Sequence, residues 1–238
     1  MLGDMARTVQ WVAAESPAEG LRERKKRQMR QQLSDTATEM FLERGFEAVR
    51  VAEIAAACGV SEKTVFNYFP TKESLLLDRF DATLAGLRGA LAEPGVAPVD
   101  AVVQVLDAEL GRLTAWLAEH EEPAAAIDGM RRFRLLIDST ASLRAHQRDM
   151  LDELTAVAAA ELADRAGLSA ADPEPQVAAA ALLSLWQIQA HALVRHVDGN
   201  HTPDQIRAAV GAEVSRAARV LADGLRTFGT RRPDRGAR

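Results

Sequence analysis

Lys63, Thr64, Asn67 and Tyr68 recur at the spacing of one helix face, directly after the turn Gly59–Val60–Ser61. An ammonium, a hydroxyl, an amide and a phenol on one face can reach phosphate oxygens and base edges in a DNA major groove. Ser61 is placed to cap this short helix by accepting from its free backbone amides, and Pro70 ends it. Val65, Phe66 and Phe69 are expected to turn inward and hold the helix to its neighbours.

The elements before the turn fit the same purpose. A first short helix is expected over 51–58, with Val51, Ile54 and Ala55 as its hidden face. Ala55 is small where two helices must approach. Gly59 follows four residues later, where a tight turn favours positive φ, and Val60 can plug the core behind it. A second short helix spans 61–69. Helix, tight turn and helix with outward polar groups make a helix-turn-helix reading of residues 45–77. Thr71 then caps a further helix, with Glu73–Ser74 at its start, running to about Leu91.

This stretch resembles the DNA-binding domain of the TetR family of transcriptional regulators. The resemblance rests on Gly45–Phe46 after the first long helix, then Ile54–Ala55, Ala57 and Gly59–Val60–Ser61 with Cys58 between. It continues through Thr64, Phe66, Tyr68–Phe69, Lys72–Glu73 and Leu75–Leu76, and covers about residues 22–80. It implies that Ser61, Lys63, Thr64, Asn67 and Tyr68 lie at a DNA surface, Lys63 donating to guanine and Asn67 pairing with adenine. It also implies that Lys72 holds phosphate. The alternatives are a core aromatic for Tyr68, a solvated face for Lys63 and Asn67, and a surface charge for Lys72. Two positions depart from the family pattern. Phe66 lacks the hydroxyl of the usual tyrosine. Val49–Arg50 replaces the usual Thr or Ser, weakening the cap and offering Arg50 as an ionic phosphate contact.

The rest of the chain must position this reader. The chain has 238 residues, 47% of them hydrophobic and 26% charged, with little aromatic content and much alanine. Apolar residues recur at three and four, never at two, so the expected class is all-α, with about nine helices. A flexible arm over 1–20 precedes a helix from Arg22 to Arg44, whose stripe is Met29, Leu33, Ala37, Met40 and Phe41. The expected division is a helix-turn-helix domain over 21–70, a connecting helix over 71–92, a ligand-binding and dimerisation domain over 93–228, and a basic tail over 229–238. Further helices are expected near 99–121, 124–138, 143–166, 175–198 and 203–228. Net charge is −5, which opposes a generic nucleic-acid binder, yet residues 21–30 hold six basic side chains against Glu23. Lys25, Lys26 and their neighbours are therefore phosphate candidates, or else a solvated helix face.

A short recognition helix makes few base contacts, so binding as a dimer to a pseudo-palindromic operator is expected. The resemblance implies a four-helix bundle from the last two helices of each subunit, through Ala181, Leu185, Ile188, Ile206, Val210, Val214 and Leu221. An internal core helix is the alternative. Around a cavity for a small-molecule effector, the candidates are Trp116, Met130, Phe133, Leu136, His146, Met150, Leu154, Trp186 and His191. Core packing is the competing role for each.

Other chemistry finds little support. His191 and His196 lie five apart, and Cys58 stands away from every histidine, so no metal site is read. Cys58 is expected to be a small buried residue in a reducing compartment. No nucleophile elbow, phosphate loop or paired carboxylates stand out, so neither enzyme activity nor a cofactor is expected. The apolar run 178–197 is broken by polar groups, and no membrane association is expected. The expected location is cytoplasmic. The leading expectation is a DNA-binding regulator, a repressor released by its ligand. The other is a helical small-molecule-binding or protein-interaction module whose DNA binding is lost or secondary.

Overall fold

The computed structural model describes residues 20–77 and 80–224. Among the described residues there are nine α-helices and no strand, so the expected all-α class holds. They are α1 (Leu21–Arg44), α2 (Val51–Ala57), α3 (Glu62–Tyr68), α4 (Phe80–Ala92), α5 (Pro98–Glu119), α6 (Pro123–Ser139), α7 (Ala141–Ala166), α8 (Pro173–His196) and α9 (Pro203–Gly224). The arm expected over 1–20, apart from Gly20, the end of the helix expected over 203–228 and the basic tail over 229–238 lie outside the described residues.

Leu33, Ala37 and Phe41 of α1 repeat every four residues and are fully buried, as an amphipathic stripe requires. Gly45 ends the helix with φ 85 and ψ 150, a conformation open to little but glycine. Its N–H donates to the Phe41 carbonyl at 2.9 Å.

The helix expected from Thr71 to Leu91 is not found as such. Thr71 and Ser74 do cap each other, Ser74 Oγ accepting from Thr71 N–H at 3.2 Å and Thr71 Oγ1 from Ser74 N–H at 3.1 Å. They open only a single 3-10 turn, Glu73–Leu75, and α4 is described only from Phe80. Leu75 and Leu76 are both buried. The Leu75 carbonyl accepts the Ser34 hydroxyl at 3.0 Å, which anchors the turn on α1.

The chain packs as two compact units. The described residues up to Phe80 join Trp116–Gln147 in one; Asp81–Ala115 joins the residues from Arg148 onward in the other. In the first, α1 packs on α2, the 3-10 turn and α6. Their core includes Leu33, Phe41, Phe46, Ile54, Val65, Phe69, Leu75, Ile137 and Leu143. In the second, α8 and α9 pack against each other. Thr202 and Gln205 begin α9 with a reciprocal pair of backbone-to-side-chain bonds. The break at Glu93–Pro98 is closed by Arg165, whose guanidinium donates to the carbonyls of Leu91 at 2.9 Å and Val96 at 2.6 Å.

Candidate nucleic-acid interface

Ile54 and Ala55 bury the inner face of α2, with Val51 half-buried beside them. Arg50 is the N-cap of α2, and its guanidinium has no acceptor to offer the helix amides. The cap is instead supplied from inside the helix: Glu53 Oε2 accepts the Arg50 N–H at 2.8 Å, half of a capping box. Glu53 Oε1 accepts from Arg44 Nη2 at 2.7 Å, tying the end of α1 to the start of α2. These bonds, the Arg44 bond first, hold the Glu53 carboxyl down at about 2. The Arg50 side chain is 81% exposed, and its Nε lies 3.5 Å from Glu53 Oε2, so the guanidinium is paired at the surface with the carboxylate that caps the helix.

Gly59 takes φ 68 in the turn. Ser61 caps α3, Oγ accepting from Thr64 N–H at 3.1 Å, and its hydroxyl lies 2.9 Å from that of Thr64. Lys63 and Asn67 are exposed, and Thr64 is half-buried. Two aromatic side chains differ from the sequence expectation. Phe66, expected to turn inward, is 46% exposed. Tyr68, expected to face out, is partly buried against the core. The reason is the helix period. Val65 and Phe69, one turn apart, are both fully buried. Tyr68 falls beside that stripe, while Phe66 stands about 100° round from Val65. Arg30 of α1 fixes this rotation, donating to the Tyr68 carbonyl at 2.9 Å and lying 4.6 Å above the Phe69 ring.

Lys72 is half-buried. Its ammonium donates to the Phe46 carbonyl at 2.5 Å and sits 4.3 Å from the centroid of the Phe46 ring. Lys25 and Lys26 are exposed on the first turns of α1. Cys58 packs at the edge of this core, its thiol 3.9 Å from the Gln32 carbonyl.

The sensor candidates divide between the two units. Trp116, Met130, Phe133, Leu136 and His146 belong to the first; Met150, Leu154, Trp186 and His191 belong to the second. Phe133 and Leu136 pack against the core that carries α2 and α3, and the Trp116 ring lies 5.0 Å from that of His120. In the second unit Trp186 Nε1 donates to Glu109 Oε2 at 3.2 Å, and the Thr83 hydroxyl donates to Glu109 Oε1 at 3.4 Å. Glu109 was not among the residues expected from the sequence, although an acid beside Leu106 and Leu110 in an apolar stripe was the available signal.

Of the dimer candidates, Leu185, Ile206, Val210 and Val214 are buried within one chain, in the helices α8 and α9 that pack together. Ala181, Ile188 and Leu221 are half-buried. The outward stripe of α8 runs instead through Val177, Ala180, Ser184, Gln187, His191 and Val194, spaced three and four apart and without an acid or a base other than histidine. Val177 and Val194 are exposed. Val220 of α9 is exposed as well.

Residues 33–78 match the family described as bacterial regulatory proteins, tetR family, and residues 113–225 match the MftR C-terminal domain family. The chain is 31% identical over 153 residues to a protein of Mycobacterium tuberculosis named as a mycofactocin biosynthesis transcriptional regulator, MftR. That alignment covers 64% of this chain and 73% of the relative. It is 32% identical over 155 residues to the HTH-type transcriptional regulator TcmR of Streptomyces glaucescens, covering 64% and 67% of the two chains. Among solved structures, a transcriptional regulator from Pseudomonas aeruginosa PAO1 aligns with TM-score 0.47 at 18% identity, over 93% of this chain and 99% of that one.

Proposed function

The chain belongs to the TetR family of transcriptional regulators, and from that premise we propose that it is a homodimeric repressor released from a pseudo-palindromic operator by a small-molecule ligand. The observation that carries the DNA reading is α3. Lys63, Phe66 and Asn67 stand exposed on a helix that Ser61 caps and that Val65 and Phe69 clamp to the core. Lys63 would donate to guanine and Asn67 to adenine. Thr64 would approach the same surface. Arg50, Lys25 and Lys26 would meet phosphates, and each neutralised phosphate adds about 0.9 to the log–log salt slope.

Two such helices must lie about 34–36 Å apart to enter successive major grooves. The outward stripe of α8 from Val177 to Val194 supports a second copy as its cover, because it is free of acids and bases other than His191. The region from 93 onward then combines ligand binding with dimerisation, and the protein works in the cytoplasm without catalysing a reaction. A ligand releases DNA only if it binds the DNA-incompetent arrangement better. The match of residues 113–225 to the MftR C-terminal domain family supports reading this region as a regulator's C-terminal domain.

Site selection from random duplexes, followed by fluorescence anisotropy across a salt series, tests this. A selected sequence bound at least about a hundredfold better than random DNA, with Thr64→Ala weakened on it, is the expected result. Binding without preference, with Thr64→Ala indistinguishable from wild type, would instead favour a helical small-molecule-binding or interaction module.

A further inference from the structure

α3 turns an aromatic ring toward solvent on the side that carries its polar groups. Phe66 is 46% exposed, next to the exposed Asn67 and one turn from the exposed Lys63 and Glu62. Helix rotation fixes which side this is, since Val65 and Phe69 occupy the core and Arg30 holds the end of the helix to α1. Tyr68 does not share the role: its side chain packs partly into the core. So α3 offers the DNA one exposed ring, and that ring has no hydroxyl for a phosphate oxygen.

The chemistry of the major groove narrows what such a ring can meet. Base edges there present donors and acceptors, together with one apolar feature, the 5-methyl group of thymine. Set against a donor or acceptor, the ring would strip water from a polar atom without replacing its hydrogen bond. Against the methyl, both apolar surfaces leave water. We propose that Phe66 is a specificity-determining residue whose ring reads the 5-methyl group of a thymine in each half-site. This rests on the reading of α2 and α3 as the DNA-binding element.

Replacing thymine by deoxyuridine removes the methyl and nothing else, so it tests the contact directly. The selected duplex is remade with each symmetry-related thymine pair changed to deoxyuridine, and affinities are measured by anisotropy for the full chain and for Phe66→Ala. At one thymine pair the wild type should lose about three- to fivefold per half-site, the size expected for burying about one methyl group. Phe66→Ala should bind the thymine duplex more weakly and lose nothing further at that pair, closing a mutant cycle. Its thermal midpoint should stay near wild type because the ring is exposed. Phe66→Leu, which keeps an apolar side chain, should retain part of the discrimination.

If every deoxyuridine substitution costs wild type and Phe66→Ala equally, the proposal is overturned while the DNA reading stands. The same holds if Phe66→Ala weakens all duplexes alike, as a sugar or backbone contact would. A wild-type chain that selects no sequence at all would overturn both.

Discussion

The Lys72 ammonium donates to the backbone carbonyl of Phe46 and lies 4.3 Å from the centroid of the same residue's ring. One side chain thus satisfies a carbonyl just beyond α1 and stacks its charge on an aromatic face. A hydrogen bond from a charged donor contributes about 1.5–3 kcal/mol, and a cation–π contact adds about 0.5–1 kcal/mol. Lys72→Ala should therefore lower the thermal midpoint by several degrees, since each kcal/mol is worth about 2–4 °C at this size. A lysine engaged only with phosphate would leave the midpoint of the free protein alone. Thermal unfolding without DNA separates these roles, and an unchanged midpoint would sink the structural one. Any loss of salt slope in the same variant reports the phosphate role independently.

The Glu53 carboxylate joins α1 to α2 by accepting from Arg44 and from the Arg50 N–H. The Arg44 bond first, then the Arg50 N–H, lower its carboxyl from the ordinary 4.5 to about 2. A group more acidic folded than unfolded stabilises the fold above its unfolded value, and that contribution is lost as pH falls through its folded value. The window runs from about 4.5 down to about 2. Wild type should thus lose urea resistance more steeply than Glu53→Gln as pH falls from about 5 to about 3. The variant should be the weaker of the two near neutral pH. Parallel curves over that range would remove Glu53 from the account of acid sensitivity.

The parts of the interface set by local chemistry were legible in the sequence. Gly45 and Gly59 marked a helix end and a turn, Ser61 marked a cap, and Pro70 marked a stop, because each acts within a few residues of itself. The features that escaped depend on residues far apart in sequence. Which of Phe66 and Tyr68 faces outward turns on a modest rotation of a seven-residue helix, set by the burial of Val65 and Phe69 in the core with residues of α1 and held at its end by Arg30, 38 positions before Tyr68. Likewise Lys72 reaches back 26 residues to Phe46. The hydrophobic stripe of α9 was legible too, but periodicity cannot say whether a stripe meets its own chain or another. Ile206, Val210 and Val214 are already buried within one chain.

Gly45 and Gly59 both have positive φ, yet substitution should separate them. An added Cβ meets nothing within 4 Å at either position, so only backbone strain is at stake. Gly59, with φ 68, lies where asparagine is tolerated. Gly45, with φ 85 and ψ 150, occupies a region that is nearly glycine-only, at a cost of about 1–3 kcal/mol for other residues. Gly45→Asn should unfold at clearly lower urea than Gly59→Asn. Equal midpoints would mean that the chain can rotate residue 45 out of this conformation at no cost.

The two sides of α8 should respond differently to substitution. Leu185 faces the interior and is fully buried, and truncating such a leucine costs about 2–5 kcal/mol. Leu185→Ala should therefore lower stability whatever the oligomeric state. Val194 is 57% exposed in the single chain, so a charge there meets water unless a second copy covers it. Val194→Glu should leave the helical content intact but shift the protein from dimer to monomer in sedimentation velocity at micromolar concentration. It should also weaken operator binding, because one recognition helix alone loses the second half-site. A Val194→Glu chain that sediments as wild type would show that the outward stripe of α8 is not the dimer contact, and Val220, exposed on α9, would be the next position to charge.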